Sequence, residues 1–300
     1  PDAKPELKEK LRLVLELREF ARTELGMDPG DNYLRYRKLD RKFVLWVVYA
    51  TLEFDVNLKS WWYPVVGQFT TRGYFRESAA RDYADWLRGQ GFDVFVGGAP
   101  AYSTLGWFDD PVLSTFIHYS EADLADLIFH ELAHHYYFLP GDATFNESFA
   151  TAVADLGVAR WLEKKHGPEK RNAYRARRQR EKHVNQKLFA LRENLESLFA
   201  KNMPPQKMRS EKEILIETFR TELKQLAETD PNYKTYLGWT NRPINNALLG
   251  AVAVYGRRVD GFVGLFAESE ESFQKFFAAV KELGKLPKEQ RDARLEALGK

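Results

Sequence analysis

The spacing of apolar and polar residues changes character along the chain. From Leu7 to Leu25, Leu, Val and Phe recur at helical intervals among charged residues and the pattern stops at Gly26, which predicts an amphipathic helix. Phe43 to Ala50 and Trp61 to Phe75 are rich in aromatic and β-branched residues, the composition of strands, with Pro64 placed at an edge or bulge. A helix is predicted from about Glu77 to Arg88, then a strand over Phe92–Val96 that runs into Gly97 and Gly98. Those glycines read either as a turn or as a place where backbone approaches a ligand closely. From Glu121 onward the pattern is almost wholly helical. The expected class is therefore α+β: a sheet-bearing lobe over residues 1–118 and a helical lobe over 119–300, together one bilobal unit.

Composition narrows the functional classes. Three hundred residues suffice for a large core, and a formal net charge of +2 argues against a nucleic-acid partner. The dense Lys and Arg between Lys164 and Arg192 read as a long solvated helix, a lid or connector, ended by Met203-Pro204-Pro205. No run of eighteen apolar residues is present, so no transmembrane helix is expected. The chain opens on Pro1 rather than an initiator Met, which reads as a mature or trimmed form. It has no cysteine, so no disulfide can form and the redox compartment is left open.

The helix predicted from Glu121 to Leu139 carries the chemistry. It contains His130-Glu131-Leu132-Ala133-His134, an HExxH motif. Residues four apart lie about 40° apart around a helix, so His130 and His134 project from one face and can share one metal ion. Glu131 falls about 100° round, out of that row but within reach of a water on the metal. Zinc lowers the pKa of such a water toward 7, and Glu131 is placed to take its proton as a general base. Leu124, Leu127, Ile128, Phe129, Leu132, Tyr136, Tyr137 and Phe138 make the helix apolar on nearly every side, hence buried. Three polar groups buried there without partners would be costly, and a cation removes that cost. His135, beside a ligand on the helix, points away from the metal.

A catalytic zinc with an open position needs a third protein ligand. Pro140-Gly141-Asp142 breaks the helix, and a second apolar helix follows through Asn146-Glu147-Ser148 toward Trp161 and Leu162. Two antiparallel helices joined by that turn can bring Glu147 opposite His130 and His134. Thr144-Phe145-Asn146-Glu147 also fits a capping box, in which Glu147 would bond only backbone N–H groups. Asp142 on the turn and Asp155 on the second helix are the reserve ligands.

These residues, with Arg72-Gly73-Tyr74-Phe75, Tyr102-Ser103-Thr104-Leu105-Gly106-Trp107-Phe108-Asp109-Asp110-Pro111 and Phe145 to Thr151, resemble the predicted zinc aminopeptidases of the bacterial cell envelope, a gluzincin-like family. The likeness covers most of the chain and is densest from Arg72 to Leu162. It implies one Zn²⁺ per chain held by His130, His134 and Glu147, with Glu131 as base and a peptide as substrate. It also implies an envelope location, periplasmic or anchored by lipid on a full-length precursor. Members often carry two cysteines where this chain has Trp62 and Gln68.

A sheet followed by a helical lobe, with HExxH on the first long helix after the sheet, is the zincin layout. Its cleft lies between the lobes, and a peptide can add to the last strand, here Phe92–Val96. Such enzymes usually take a Tyr or His from further along the chain to hold the oxyanion. By resemblance Tyr255, on a helix predicted from Asn245, is the first choice and Tyr102 the second. A helical Tyr255 among Val252, Ala253 and Val254 also reads as core packing. Trp107 and Asp109 either shape a pocket with Tyr102 or pack and turn the loop. The sequence points to a zinc metallopeptidase, an aminopeptidase by resemblance. A zinc endopeptidase, or an envelope binding protein with a closed metal site, remains open.

Overall fold

The structure is a computed structural model that describes residues 4–63, 67–101, 109–256 and 258–300. It is α+β and mainly helical, with the strands confined to the N-terminal part of the chain. The chain divides into two compact units, one of Pro1–Leu45, Gly98–Arg175 and Tyr255–Lys300, the other of Trp46–Gly97 and Ala176–Val254. The sequence boundary at 118/119 marks where the pattern turns helical and falls inside the first unit.

In the first unit the opening helix α1 (Pro5–Phe20) runs into a π-helical turn over Ala21–Leu25 and ends at Gly26, whose φ of 72° suits glycine. Strand β1 (Tyr36–Arg37) belongs to this unit, and β2 (Leu45–Leu52), β3 (Trp61–Tyr63), β4 (Gly67–Phe69), β5 (Arg72–Tyr74), α2 (Glu77–Gly89) and β6 (Phe92–Ala99) follow in the chain. Strand β7 (Val112–Leu113) then pairs in parallel with β1, Tyr36 opposite Val112. Helices α3 (Glu121–Tyr136) and α4 (Ala143–His166) form the centre of this unit's core with α1. They run antiparallel: Glu147 lies by His130 and His134, Gly157 against the Phe129 ring, and His166 bonds Glu121. Phe129, Phe145, Phe149 and Trp161 are fully buried between them and their neighbours.

In the second unit β2 is the middle strand of a three-stranded sheet, between β5 and β6, and pairs antiparallel with β5 in the register Trp46 opposite Tyr74. Helix α2 buries Ala80, Ala84 and Leu87 against Val48, Ala50 and Val94 of that sheet. Strands β3 and β4 form a separate antiparallel pair in which Trp62 and Gln68 are direct cross-strand partners, the two positions that relatives are expected to fill with cysteine. Pro64, placed at an edge or bulge by the sequence, lies outside the described residues. Helices α5 (Pro168–Phe199) and α6 (Pro205–Thr229) bury Leu188, Leu191, Leu195, Phe219 and Leu223 in a second core. A 3-10 turn over Pro231–Tyr236 and α7 (Gly238–Asn241) lead to α8 (Asn246–Gly256).

The chain closes in the first unit with α9 (Val259–Glu268), α10 (Phe273–Gly284) and α11 (Lys288–Leu298). Gly261 and Gly264 let α9 and α11 touch: a Cβ at either would meet the carbonyl oxygen of Leu295 at 2.3 Å or of Leu298 at 2.2 Å.

Two expectations are corrected here. The basic stretch from Lys164 to Arg192 is not one solvated helix, because Gly167 (φ 87°) and Pro168 divide it between α4 and α5, and α5 buries Tyr174, Val184, Leu188 and Leu191. Gly97 and Gly98 form no turn: β6 continues through them, and the Phe43 ring occupies the space a Gly98 side chain would need, its nearest atom 2.2 Å from where a Cβ would stand. Among the described residues no helix is long and apolar enough to cross a membrane.

Candidate active site

The HExxH motif lies on the last two turns of α3, a helix started by Ser120, whose side chain accepts from the Asp123 N–H. The helix stops at Tyr136, and Tyr137 is extended. Gly141, at a φ of 81°, turns the chain back. Asp142 then caps α4 by accepting from the Phe145 N–H at 3.1 Å, and is itself held by Arg291 at 2.7 Å. Because Asp142 caps the helix, Thr144 is inside it and the capping-box role for Glu147 does not arise. Glu147 sits beyond the first turn and faces α3 instead.

The three predicted ligand residues come together. The His130 and His134 Nε2 atoms are 3.2 Å apart, and one Glu147 carboxylate oxygen lies 3.3 Å from the first and 3.7 Å from the second. Donors at zinc bond lengths of about 2.0–2.1 Å define a tetrahedron with edges of about 3.3–3.4 Å. Two of the three separations are close to such an edge and the third, His134 to Glu147, is about 0.3 Å longer, so the group can hold a metal ion, zinc being compatible. The side chains are 9–23% exposed, sheltered but reachable. His134 Nδ1 is buried without a hydrogen-bond partner among the described residues, so the ring's polar contacts all pass through Nε2 toward this group.

Electrostatics also favour a cation. Burial pulls the His130 imidazole down, but the hydrogen-bonded Glu147 carboxylate, with the charges of Glu131 and Asp126 behind it, outweighs that and holds the ring raised at about 9. Burial pushes Glu147 up, yet its bonds to the two imidazoles keep it far below the usual carboxylate range. Burial raises Glu131, and the adjoining histidines pull it only partly back. Two partly buried acidic side chains thus lie beside the histidines, where positive charge is favoured.

The other candidates fall elsewhere. Asp142 is a cap and ion-pair partner, and Asp155 accepts from the Tyr174 hydroxyl at 3.2 Å. His135 points away from the group and bonds Asp110 at 2.8 Å. Asp109 pairs with Arg35 at 2.9 Å. Tyr102 and Trp107 lie outside the described residues. Tyr255 is on the last turn of α8, and its side chain lies outside what is described.

Sequence reasoning missed Tyr33, and it placed Asp110 in the loop before Pro111 without linking it to His135. Tyr33 is 3% exposed, and burial followed by the charges of Glu131 and Asp110 raises its hydroxyl well above the usual range. A run of turn residues, Asp28-Pro29-Gly30-Asp31-Asn32, marks a bend there, but nothing in it signals a neighbour of Glu131.

Fold and site together define an α+β protein that presents two histidines and a glutamate of paired helices at metal-binding distance. The chain belongs to the family described as "Putative aminopeptidase", whose model matches residues 1–295. Neither a curated protein nor a solved structure matches it.

Proposed function

We propose that the protein is a zinc-dependent metallopeptidase of the gluzincin kind, an aminopeptidase that hydrolyses the N-terminal peptide bond. The observation that carries this reading is the meeting of His130, His134 and Glu147 close to the edge lengths of a zinc tetrahedron, in a chain of an aminopeptidase family. Zinc held by these three would lower the pKa of a coordinated water and polarise the scissile carbonyl.

Glu131 is the general base in this reading. Its carboxylate takes one proton of the attacking water and delivers it to the leaving amine nitrogen, so the C–N bond breaks; the water's second proton then passes from the new carboxylic acid to the amine, giving a carboxylate and an ammonium. Its burial supports this role, because a raised carboxyl pKa brings proton acceptance and return closer to balance near neutral pH. Tyr255 is the first choice and Tyr102 the second for the hydroxyl that donates to the developing oxyanion. The group gathered among the described residues, two histidines and one glutamate, is a ligand set that catalytic zinc sites use with water in the fourth position. The envelope location, periplasmic or lipid-anchored, is proposed on resemblance alone.

The endopeptidase reading is separated from the exopeptidase one by a matched pair of peptides, one with a free amino terminus and one N-acetylated. The free peptide is expected to be cleaved and the acetylated one spared. Equal cleavage of both would make the enzyme an endopeptidase.

A further inference from the structure

We propose that Tyr33, Asp110 and His135 form a buried brace that fixes the Glu131 side of α3 and so sets the aim of the Glu131 carboxylate. The inference rests on the reading of Glu131 as the base and adds residues that position it.

The bonds form a continuous chain. His135 follows Glu131 by four residues, so both lie in one row along α3, and whatever holds one restrains the other. His135 Nε2 is 2.8 Å from Asp110 Oδ2, with side-chain exposures of only 9% and 6%. Asp110 is itself fastened through its backbone: its N–H donates to Asn32 Oδ1 at 2.8 Å, and its carbonyl accepts from the Tyr33 N–H at 2.6 Å. Asn32 Nδ2 donates to the Pro29 carbonyl at 2.9 Å, and the Arg18 guanidinium grips the carbonyls of Gly30, at 2.9 Å, and Asn32. The β1–β7 pairing continues the same junction a few residues on.

Tyr33 is the unusual member. Its φ of 61° is left-handed, a conformation that costs an aromatic residue about 1–2 kcal/mol and persists only where the surroundings over-determine it. The ring is buried in the core, where its hydroxyl feels the charges of both Glu131 and Asp110. Packing alone does not call for this arrangement, since apolar residues fill buried volume as well as a His–Asp pair does. The expense is understandable if the side of α3 that carries the base must not rock. A displacement of about 1 Å at such a group can cost on the order of 100-fold in rate.

The test compares Asp110→Ala with Asp110→Asn, which keeps an acceptor for His135. In Asp110→Ala, kcat is expected to fall about 10–100-fold, with KM and the zinc dissociation constant within about twofold of the parent. Asp110→Asn is expected to recover most of the lost kcat. Hydrogen exchange on the zinc-free proteins supplies a readout independent of activity: Asp110→Ala speeds exchange in residues 30–33 and in the last turn of α3, and Asp110→Asn does so less. If Asp110→Ala does not fold, the double variant Asp110→Leu with His135→Leu fills the space without the bond, and the same loss of kcat is expected. Unchanged kcat would overturn the brace, as would a loss of zinc affinity parallel to the loss of kcat, because the junction would then serve His134. Glu131→Gln is the control: if it keeps full activity, the assignment of the base has failed, which is distinguishable from failure of the brace.

Discussion

Glu131→Gln is expected to lower peptide hydrolysis by about 10²–10⁴-fold while the protein still binds one zinc per chain with unchanged affinity. Glutamine has nearly the size of glutamate, so the buried position of the side chain is kept and only proton acceptance is lost. Glu131 is outside the group of three ligand residues, which is why the metal should remain. Single-turnover kinetics alongside metal analysis of the same sample checks both halves. Loss of zinc with loss of rate would make Glu131 part of the metal site, and an unaltered rate would remove it from the mechanism.

Glu147→Ala is expected to act the other way, through the metal. It removes one of three ligands, and its effect on zinc affinity should exceed the roughly 10–100-fold that loss of a partner behind a ligand typically costs. A pH dependence comes with it. His130 is raised to about 9 and must lose its proton to bind metal, so parent zinc affinity is expected to climb as pH rises toward about 9 and then to level off. Binding below that pH releases protons. Burial lowers His130 and Glu147 is the largest of the carboxylates that oppose it, ahead of Glu131 and Asp126, so in Glu147→Ala the levelling should move to lower pH. Competition with a chromophoric chelator across a pH series measures both effects. Retained affinity in the variant would exclude Glu147 as a ligand.

Much of this site is written in local pattern. The apolar residues around HExxH predict α3 because its burial depends on residues three and four apart, and Pro140-Gly141 marks the turn back. Paired helices joined by so short a turn are expected to carry Glu147 opposite the histidines, and it lies there. The cap is harder to read, since Asp142 and Thr144 are both good cap residues; Asp142 takes the position with Arg291, a partner 149 residues away, beside it. The parallel pair β1–β7 has two residues in each strand, too few to show an alternation. Tyr33 is illegible for a related reason: its left-handed backbone accompanies a hydrogen bond from its N–H to the carbonyl of Asp110, far away in the chain, and no residue type advertises it. Gly98 carries a signal with two meanings, a turn or a close approach, and the structure shows a third use, a strand position against which the Phe43 ring packs.

The central claim, that His130, His134 and Glu147 hold a metal on which peptide hydrolysis depends, is tested most directly by removing and restoring the metal. The protein would be stripped with a strong chelator, dialysed, and assayed on a peptide with a free amino terminus before and after one equivalent of zinc is returned. Activity is expected to vanish in the stripped protein and to return in full at about one zinc per chain. Hydrolysis that persists in the verified zinc-free protein, or zinc that returns without hydrolysis, would contradict the account.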